Sequence, residues 1–213
     1  MPDRLPLLTP TEARILGVLI EKEATTPDVY PLTLNSLTTG CNQKTSRDPV
    51  MSLPESEVQA TLEELRGRTL VVETFGASGR VLRYAQNFRK VYGVPAAAMA
   101  LLAVLMLRGP QTVNELRANC DRLYHFVDAS SVEAYLEELA ARPGGALVCK
   151  LARQPGAREQ RWAHLLCGDV VADSQPRDLA DRSAVDQRLA CLEAEVAELR
   201  SQLQAVLARL DRP

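Results

Sequence analysis

The stretch V-Q-A-T-L-E-E-L-R-G-R at residues 58–68 occurs a second time, as V-E-A-Y-L-E-E-L-A-A-R at residues 132–142. Seven of the eleven positions are identical at a fixed offset of 74 residues, which indicates an internal repeat. In both copies the apolar residues have the spacing of one buried helix face. They are Val58, Leu62 and Leu65 in the first copy and Val132, Leu136 and Leu139 in the second.

Each copy is followed by the pattern of a β-hairpin. Apolar runs at residues 70–74 and 147–153 lead through glycine-containing turns into second runs at residues 80–85 and 160–165. A helix that leads into a two-stranded hairpin is the second half of a winged helix. We therefore predict a mainly α-helical fold with small β-hairpins, built as two tandem winged-helix domains.

Capping patterns indicate where several helices begin. A Ser or Thr side chain at the start of a helix can bond the backbone three residues later, where a Glu can return the bond. Four such boxes occur before apolar runs: Thr9 with Glu12, Ser52 with Glu55, Thr112 with Glu115, and Ser130 with Glu133.

The repeat also sets the expected domain boundaries. Residues 1–90 are predicted to form the first winged-helix domain and residues 91–167 the second. Residues 168–184 are polar and lack periodicity, which is typical of a flexible linker. Residues 185–210 carry a heptad seam and are predicted to form a coiled-coil helix.

The seam predicts a homo-oligomer, with a parallel dimer as the first hypothesis. Its apolar positions alternate in steps of four and three: Val185, Leu189, Leu192, Val196, Leu199, Leu203, Val206 and Leu210. In a parallel pair, Arg188 would face Glu193 and Glu195 would face Arg200, so opposite charges meet. The alternative is a helix that packs back on its own chain.

Composition and motifs argue against several classes of protein. The net charge of −2 provides no global attraction to nucleic acid. The five cysteines form no C-x-x-C pair and their number is odd, which favours reduced thiols in a cytoplasmic protein and no metal site. The chain has no Gly-rich phosphate loop and no G-x-S-x-G motif, so we expect no cofactor and no enzymatic activity. It shows no signal peptide, and its longest apolar run, at residues 96–107, is too short to cross a membrane.

Three segments resemble an uncharacterised bacterial group, the YceH-like proteins. They are T-P-D-V-Y-P-L at residues 26–32, C-N-Q-K-T-S-R-D-P-V-M at residues 41–51, and L-A-R-Q-P-G-A-R-E at residues 151–159. The resemblance covers about residues 5–168 and leaves the heptad tail outside the shared region. It implies two winged helices in one chain, and it implies no activity.

Candidate contacts to nucleic acid come from the hairpins and from an additional loop. Each hairpin region, at residues 73–90 and 147–162, carries a net charge of +3. The first half also has about a dozen more residues between its first and third helices, part of them in the polar loop at 42–53. Such a loop can bind a ligand, or it can pack on its own domain. The basic residues predicted to contact phosphates are Lys44, Arg47, Arg80, Arg83, Lys150, Arg153, Arg158 and Arg161.

Two functions remain open from the sequence. The first hypothesis is a DNA-binding regulator or DNA-associated protein that contacts double-stranded DNA through its basic hairpins. The alternative is a non-enzymatic adaptor that meets a protein partner through acidic helix faces and the coiled coil. The acidic faces of the repeated helices carry Glu63, Glu64, Glu137 and Glu138, whose carboxylates would repel phosphates. They would meet a basic partner in the adaptor, or they form a solvated helix face with no ligand.

Overall fold

Two successive sets of helices and strands, in the same order, make up the part of the chain that the structure describes. The computed structural model describes residues 7–75, 79 and 81–169. The first set contains α1 (Pro10–Thr25), a short 3-10 helix (Pro27–Val29), α2 (Leu34–Cys41), α3 (Glu55–Gly67), β1 (Val71–Phe75) and β2 (Leu82–Gln86). After α4 (Phe88–Tyr92), the second set contains α5 (Ala96–Arg108), α6 (Val113–Cys120), α7 (Ala129–Ala140), β3 (Val148–Lys150) and β4 (Trp162–His164). The predicted mainly α-helical fold with small hairpins is confirmed.

Each hairpin is antiparallel. The segment before the second helix of the same half, α2 or α6, adds one further bridge to it. In the first hairpin Val71 pairs with Gln86, and in the second Val148 pairs with His164. Leu32 then bridges to Tyr84, and Gln111 bridges to Trp162. In both bridges the two residues exchange backbone N–H···O bonds of 2.7–3.1 Å. The two halves therefore share the same strand pairing as well as the same element order.

The bridges expose a second internal repeat that the sequence analysis missed. Residues 31–37 read P-L-T-L-N-S-L and residues 110–116 read P-Q-T-V-N-E-L, at an offset of 79. In both copies the threonine, Thr33 or Thr112, caps the helix by accepting a bond from the backbone three residues later. The first helices align at an offset of 86, with A-R-I-L-G-V-L-I at 13–20 matching M-A-L-L-A-V-L-M at 99–106.

Two of the four predicted capping boxes are confirmed and two are wrong. Thr9 with Glu12 and Thr112 with Glu115 form complete boxes. Helix α3 instead starts after Pro54, because the residue before a proline avoids helical backbone angles. In α7 the Asp128 carboxylate accepts from Ser131 N at 2.7 Å, so the helix begins two residues earlier than the box at Ser130 implied.

One apolar core runs through both halves. The predicted inner faces of α3 and α7 are buried, with Val58 and Val132 both at 0% exposure. Helices α1 and α5 pack against each other so closely that a Cβ added to Gly17 would lie 2.9 Å from Leu107 Cγ. The predicted domain boundary at residues 90 and 91 falls within α4 and stays a prediction.

The predicted coiled coil lies outside the described residues. Its eight seam positions, from Val185 to Leu210, and the linker beyond residue 169 are not among the residues that the structure describes. In the described ranges, none of the helices combines the length and the apolar character needed to cross a membrane.

Candidate interaction surfaces

The additional loop at residues 42–53 packs on the fold at both of its ends and in its middle. The Asn42 side chain donates to Leu53 O and accepts from Leu53 N, both at 2.8 Å. Asp48 N donates to Leu107 O at 2.8 Å, and Arg108 Nη2 donates to Ser46 Oγ at 2.7 Å. The loop therefore ties α2 of the first half to the end of α5 in the second half.

Arg47 is the centre of this packing and has no exposed side-chain surface. Its Nη2 donates to Glu21 Oε2 at 2.6 Å and to Gln43 Oε1 at 2.8 Å, and its Nε donates to Gly40 O at 3.1 Å. A phosphate cannot reach a guanidinium that is enclosed in this way. The proposal that Arg47 contacts nucleic acid is therefore corrected, and the residue has a structural role.

A second buried arginine, Arg14, was not singled out from the sequence. It is 1% exposed, and it donates to Cys41 O at 3.0 Å and to Pro49 O at 2.6 Å. Burial, and then the nearby Arg47 charge, lowers the pKa of Arg14. The available signal was its position inside the apolar stripe of α1, where a solvated charge does not belong.

Two of the predicted hairpin cations have equivalent structural roles in the two halves. Arg83 Nη1 donates to Pro31 O at 2.7 Å, and Arg161 Nη1 donates to Pro110 O at 3.0 Å. The two arginines directly precede the aromatic residues of the bridges, Tyr84 and Trp162. The two prolines directly precede the bridge partners of those aromatic residues, Leu32 and Gln111. Both arginines therefore fasten the hairpin to the segment that leads into the second helix of its half.

The other basic residues that we predicted to contact phosphates differ in exposure and in the bonds that their side chains form within the protein. Lys150 pairs with Glu133 at 3.0 Å and lies over the Trp162 ring. Arg153 is exposed, although its Nε donates to Ala157 O at 2.7 Å. Lys44 and Arg158 are exposed as well, and Arg80 lies outside the described residues.

The third helices present acidic surfaces. Glu55, Glu57, Glu63 and Glu64 are exposed on α3, and Glu137 and Glu138 are exposed on α7. Across the described ranges these six carboxylates form no ion pair, whereas Glu133 pairs with Lys150. The exposed faces of α3 and α7 therefore carry uncompensated negative charge.

The buried thiols Cys41 and Cys120 and the partly buried His164 are held in their neutral forms. Burial raises the pKa of Cys41 and of Cys120 to about 12, so both thiols stay protonated at neutral pH. Burial lowers the pKa of His164 to about 4, so its ring stays uncharged. The described residues contain no cluster of three or more side chains suited to a metal ion.

Comparison with known proteins identifies relatives along nearly the whole chain. A family model described as "Protein of unknown function, DUF480" matches residues 8–157. A "UPF0502 protein" of Acidovorax sp. is 54% identical over 213 residues, covering 95% of this chain and 94% of the relative. Similar proteins occur in Leptothrix cholodnii, at 54% identity with 95% of each chain covered, and in Dechloromonas aromatica, at 51% with 95% and 97% covered.

The relatives also correct the expected extent of the shared region. The YceH-like segments predict a shared region that ends near residue 168. Because the relatives cover 95% of this chain, the alignments in fact extend well into residues 170–213. The tail is therefore largely shared with these relatives. The chain belongs to the bacterial DUF480/UPF0502 family of unknown function, which confirms the uncharacterised family indicated by the YceH-like segments.

Proposed function

We propose that this chain is a tandem winged-helix adaptor that binds a basic segment of a partner protein on the exposed faces of α3 and α7. The order of three helices and a hairpin, present twice, supports the winged-helix assignment. The bridges at Leu32 and Gln111 support it further, because they add the short strand that a winged helix has before its second helix.

The unpaired carboxylates of the third helices carry the functional proposal. In a DNA-binding winged helix the third helix enters the major groove, between two rows of phosphates. Glu63 and Glu64 on α3 would then lie within screening distance of those phosphates, which is about 8 Å at physiological salt. Repulsion disfavours that arrangement, whereas a lysine- or arginine-rich protein segment would complement the same surface.

Reversing the charges on α3 is expected to release the partner. The variant Glu63→Lys/Glu64→Lys should weaken partner binding at least tenfold, because each reversed charge turns an attraction into a repulsion. The measurement is quantitative affinity capture from bacterial lysate, with a photo-crosslinking residue at Gln59 on the exposed side of α3. We expect the crosslinked peptides to be rich in lysine and arginine.

A matched variant controls for the change in net charge. Asp28→Lys/Glu159→Lys reverses two exposed carboxylates away from the third helices and should retain the partner. Equal recovery with the α3 variant and this control would contradict the proposal. So would crosslinks from Gln59 that reach only acidic or apolar peptides.

DNA binding through the second hairpin is the second candidate function. The observation in its favour is that Arg153 and Arg158 are exposed near the hairpin tip, where a flexible arginine can reach a phosphate. In this case a labelled DNA duplex should bind more weakly as salt rises. Replacing both arginines by alanine should reduce the slope of log K against log salt by about two. Absence of binding at low salt would exclude this candidate.

A further inference from the structure

A cavity lies between the start of α5 and the end of α7. Its volume is about 230 Å³. Its lining is mainly apolar, with the Tyr135 ring at one side and the Arg142 guanidinium as its cationic group. The principal lining residues are Val94, Pro95, Ala98, Tyr135, Leu139 and Arg142. Glu138 lines the same cavity.

One nitrogen of the Arg142 guanidinium lacks a hydrogen-bond acceptor. Its Nη1 atom is buried and has no hydrogen-bond partner. In the part of the chain that the structure describes, no acceptor bonds this nitrogen, Glu138 included. A buried guanidinium N–H without an acceptor is costly, and such atoms are rare in folded proteins.

The first half of the molecule contains the same arginine together with its acceptor. By the repeat at an offset of 74, Arg142 corresponds to Arg68. Arg68 forms an ion pair with Glu12, which is only 1% exposed and lies in the first turn of α1. The first half therefore joins the end of its third helix to the start of its first helix through a carboxylate.

The second half has the arginine but lacks this carboxylate. The N-cap residues Thr9 and Pro95 align at an offset of 86, so the position of Glu12 is occupied by Ala98. Ala98 lines the cavity together with Arg142. The cavity thus occupies the place where the first half holds the Glu12 carboxylate.

The start of α5 lacks a side-chain acceptor as well. In α1, Thr9 Oγ1 accepts from Glu12 N at 3.2 Å, and Glu12 Oε2 accepts from Thr9 N at 2.8 Å. Pro95 caps α5 without any side-chain hydrogen bond and has no N–H of its own, so the donors left at this end are the N–H groups of the first turn. The first N–H groups of a helix favour a negatively charged acceptor, and so does the positive end of the helix dipole.

We propose that this cavity binds a small organic carboxylate, whose head group takes the place of the missing Glu12 counterpart. The carboxylate oxygens accept from Arg142 and from the first turn of α5, and a short apolar body packs on Val94 and Leu139. The inference does not rest on the adaptor proposal, because the binding it predicts requires no protein partner. The two sites adjoin on α7, where Glu138 lines the cavity and also belongs to the acidic surface.

Binding of sodium butyrate to the full-length protein tests the proposal, with butyramide as the uncharged control. We expect saturable binding of butyrate by isothermal titration calorimetry, with Kd on the order of 1 mM. Butyramide should bind at least tenfold more weakly, because it brings no negative charge to Arg142. Failure of butyrate to bind, or equal binding of butyramide, would overturn the proposal.

Two variants locate the site and a third controls for net charge. Ala98→Glu restores the carboxylate of the first half and should abolish butyrate binding in a folded protein. Arg142→Gln should abolish it too, whereas Arg158→Gln on the exposed hairpin should leave it unchanged. Undiminished binding to Ala98→Glu would overturn the assignment, even if Arg142→Gln fails to fold.

Discussion

Replacing Arg47 by alanine is expected to lower the free energy of unfolding by about 3–5 kcal/mol, the range for breaking a buried ion pair from one side. The change leaves the Glu21 carboxylate, whose side chain is only 17% exposed, without its bidentate partner. It also removes the donor to Gly40 O at the end of α2. Urea unfolding measures the loss as a lower midpoint at unchanged slope.

Lys44 provides the matched control, because it lies in the same loop and is exposed. Lys44→Ala should change stability by no more than about 0.5 kcal/mol. The double variant Glu21→Gln/Arg47→Met should recover part of the loss, since it removes the Glu21 charge together with its bidentate partner. Equal midpoints for Arg47→Ala and Lys44→Ala would show that the guanidinium does not hold the loop, and Arg47 would return to the candidate phosphate contacts.

The burial of Arg47 could not be predicted from its local sequence. A polar run with a proline has the composition of an exposed loop, and nothing within the run indicates an enclosed guanidinium. The acceptors that enclose it belong to Glu21 on α1 and to Gly40 at the end of α2. The enclosure of Arg47 therefore depends on tertiary contacts, which cannot be predicted from the composition of the loop alone.

The third helices could be predicted because they combine two signals. Their apolar positions follow the helical period, and seven identities at one offset support the same assignment twice. The P-x-T-x-N-x-L repeat was harder to find, because its bridge residues, Leu32 and Gln111, differ in character. Its offset of 79 also differs from the 74 of the third helices.

The changing offsets show where the first half is longer. The offset between the halves falls from 86 at the first helices to 79 at the second and 74 at the third. Seven additional residues therefore precede α2, in the region of the 3-10 helix Pro27–Val29, and five lie between α2 and α3. The sequence predicted an excess of about a dozen residues, and the structure divides it between two loops.

The cavity beside Arg142 could be recognised only after both alignments were known. The offset of 74 identifies Arg68 as the equivalent of Arg142, and the offset of 86 identifies Ala98 as the equivalent of Glu12. Neither alignment alone shows that the second half keeps the arginine of the Arg68–Glu12 ion pair but has alanine in place of the glutamate. The internal repeat therefore helps to locate a candidate site, because the first half serves as a reference for the second.

Replacing Gly17 by valine is expected to destabilise the protein by about 3 kcal/mol, at the upper end of the usual cost of overpacking. A Cβ at this position lies 2.9 Å from Leu107 Cγ and 3.5 Å from Ala103 O. The contact with Ala103 O is an ordinary van der Waals distance, whereas the Leu107 side chain would have to shift. The two further methyl groups of valine then overfill the space between α1 and α5. Urea unfolding monitored by far-ultraviolet circular dichroism measures the loss.

Gly67→Val is the matched control, because a Cβ at Gly67 meets no atom within 4 Å. It should leave the free energy of unfolding within about 0.5 kcal/mol of the parent value. Leu107→Ala should cost less in the Gly17→Val background than in the parent, because the two side chains compete for the same space. Since α1 and α5 share one core, Gly17→Val should shift a single unfolding transition of both halves. Two separate transitions, with only one of them shifted, would instead favour independent domains on either side of residue 90.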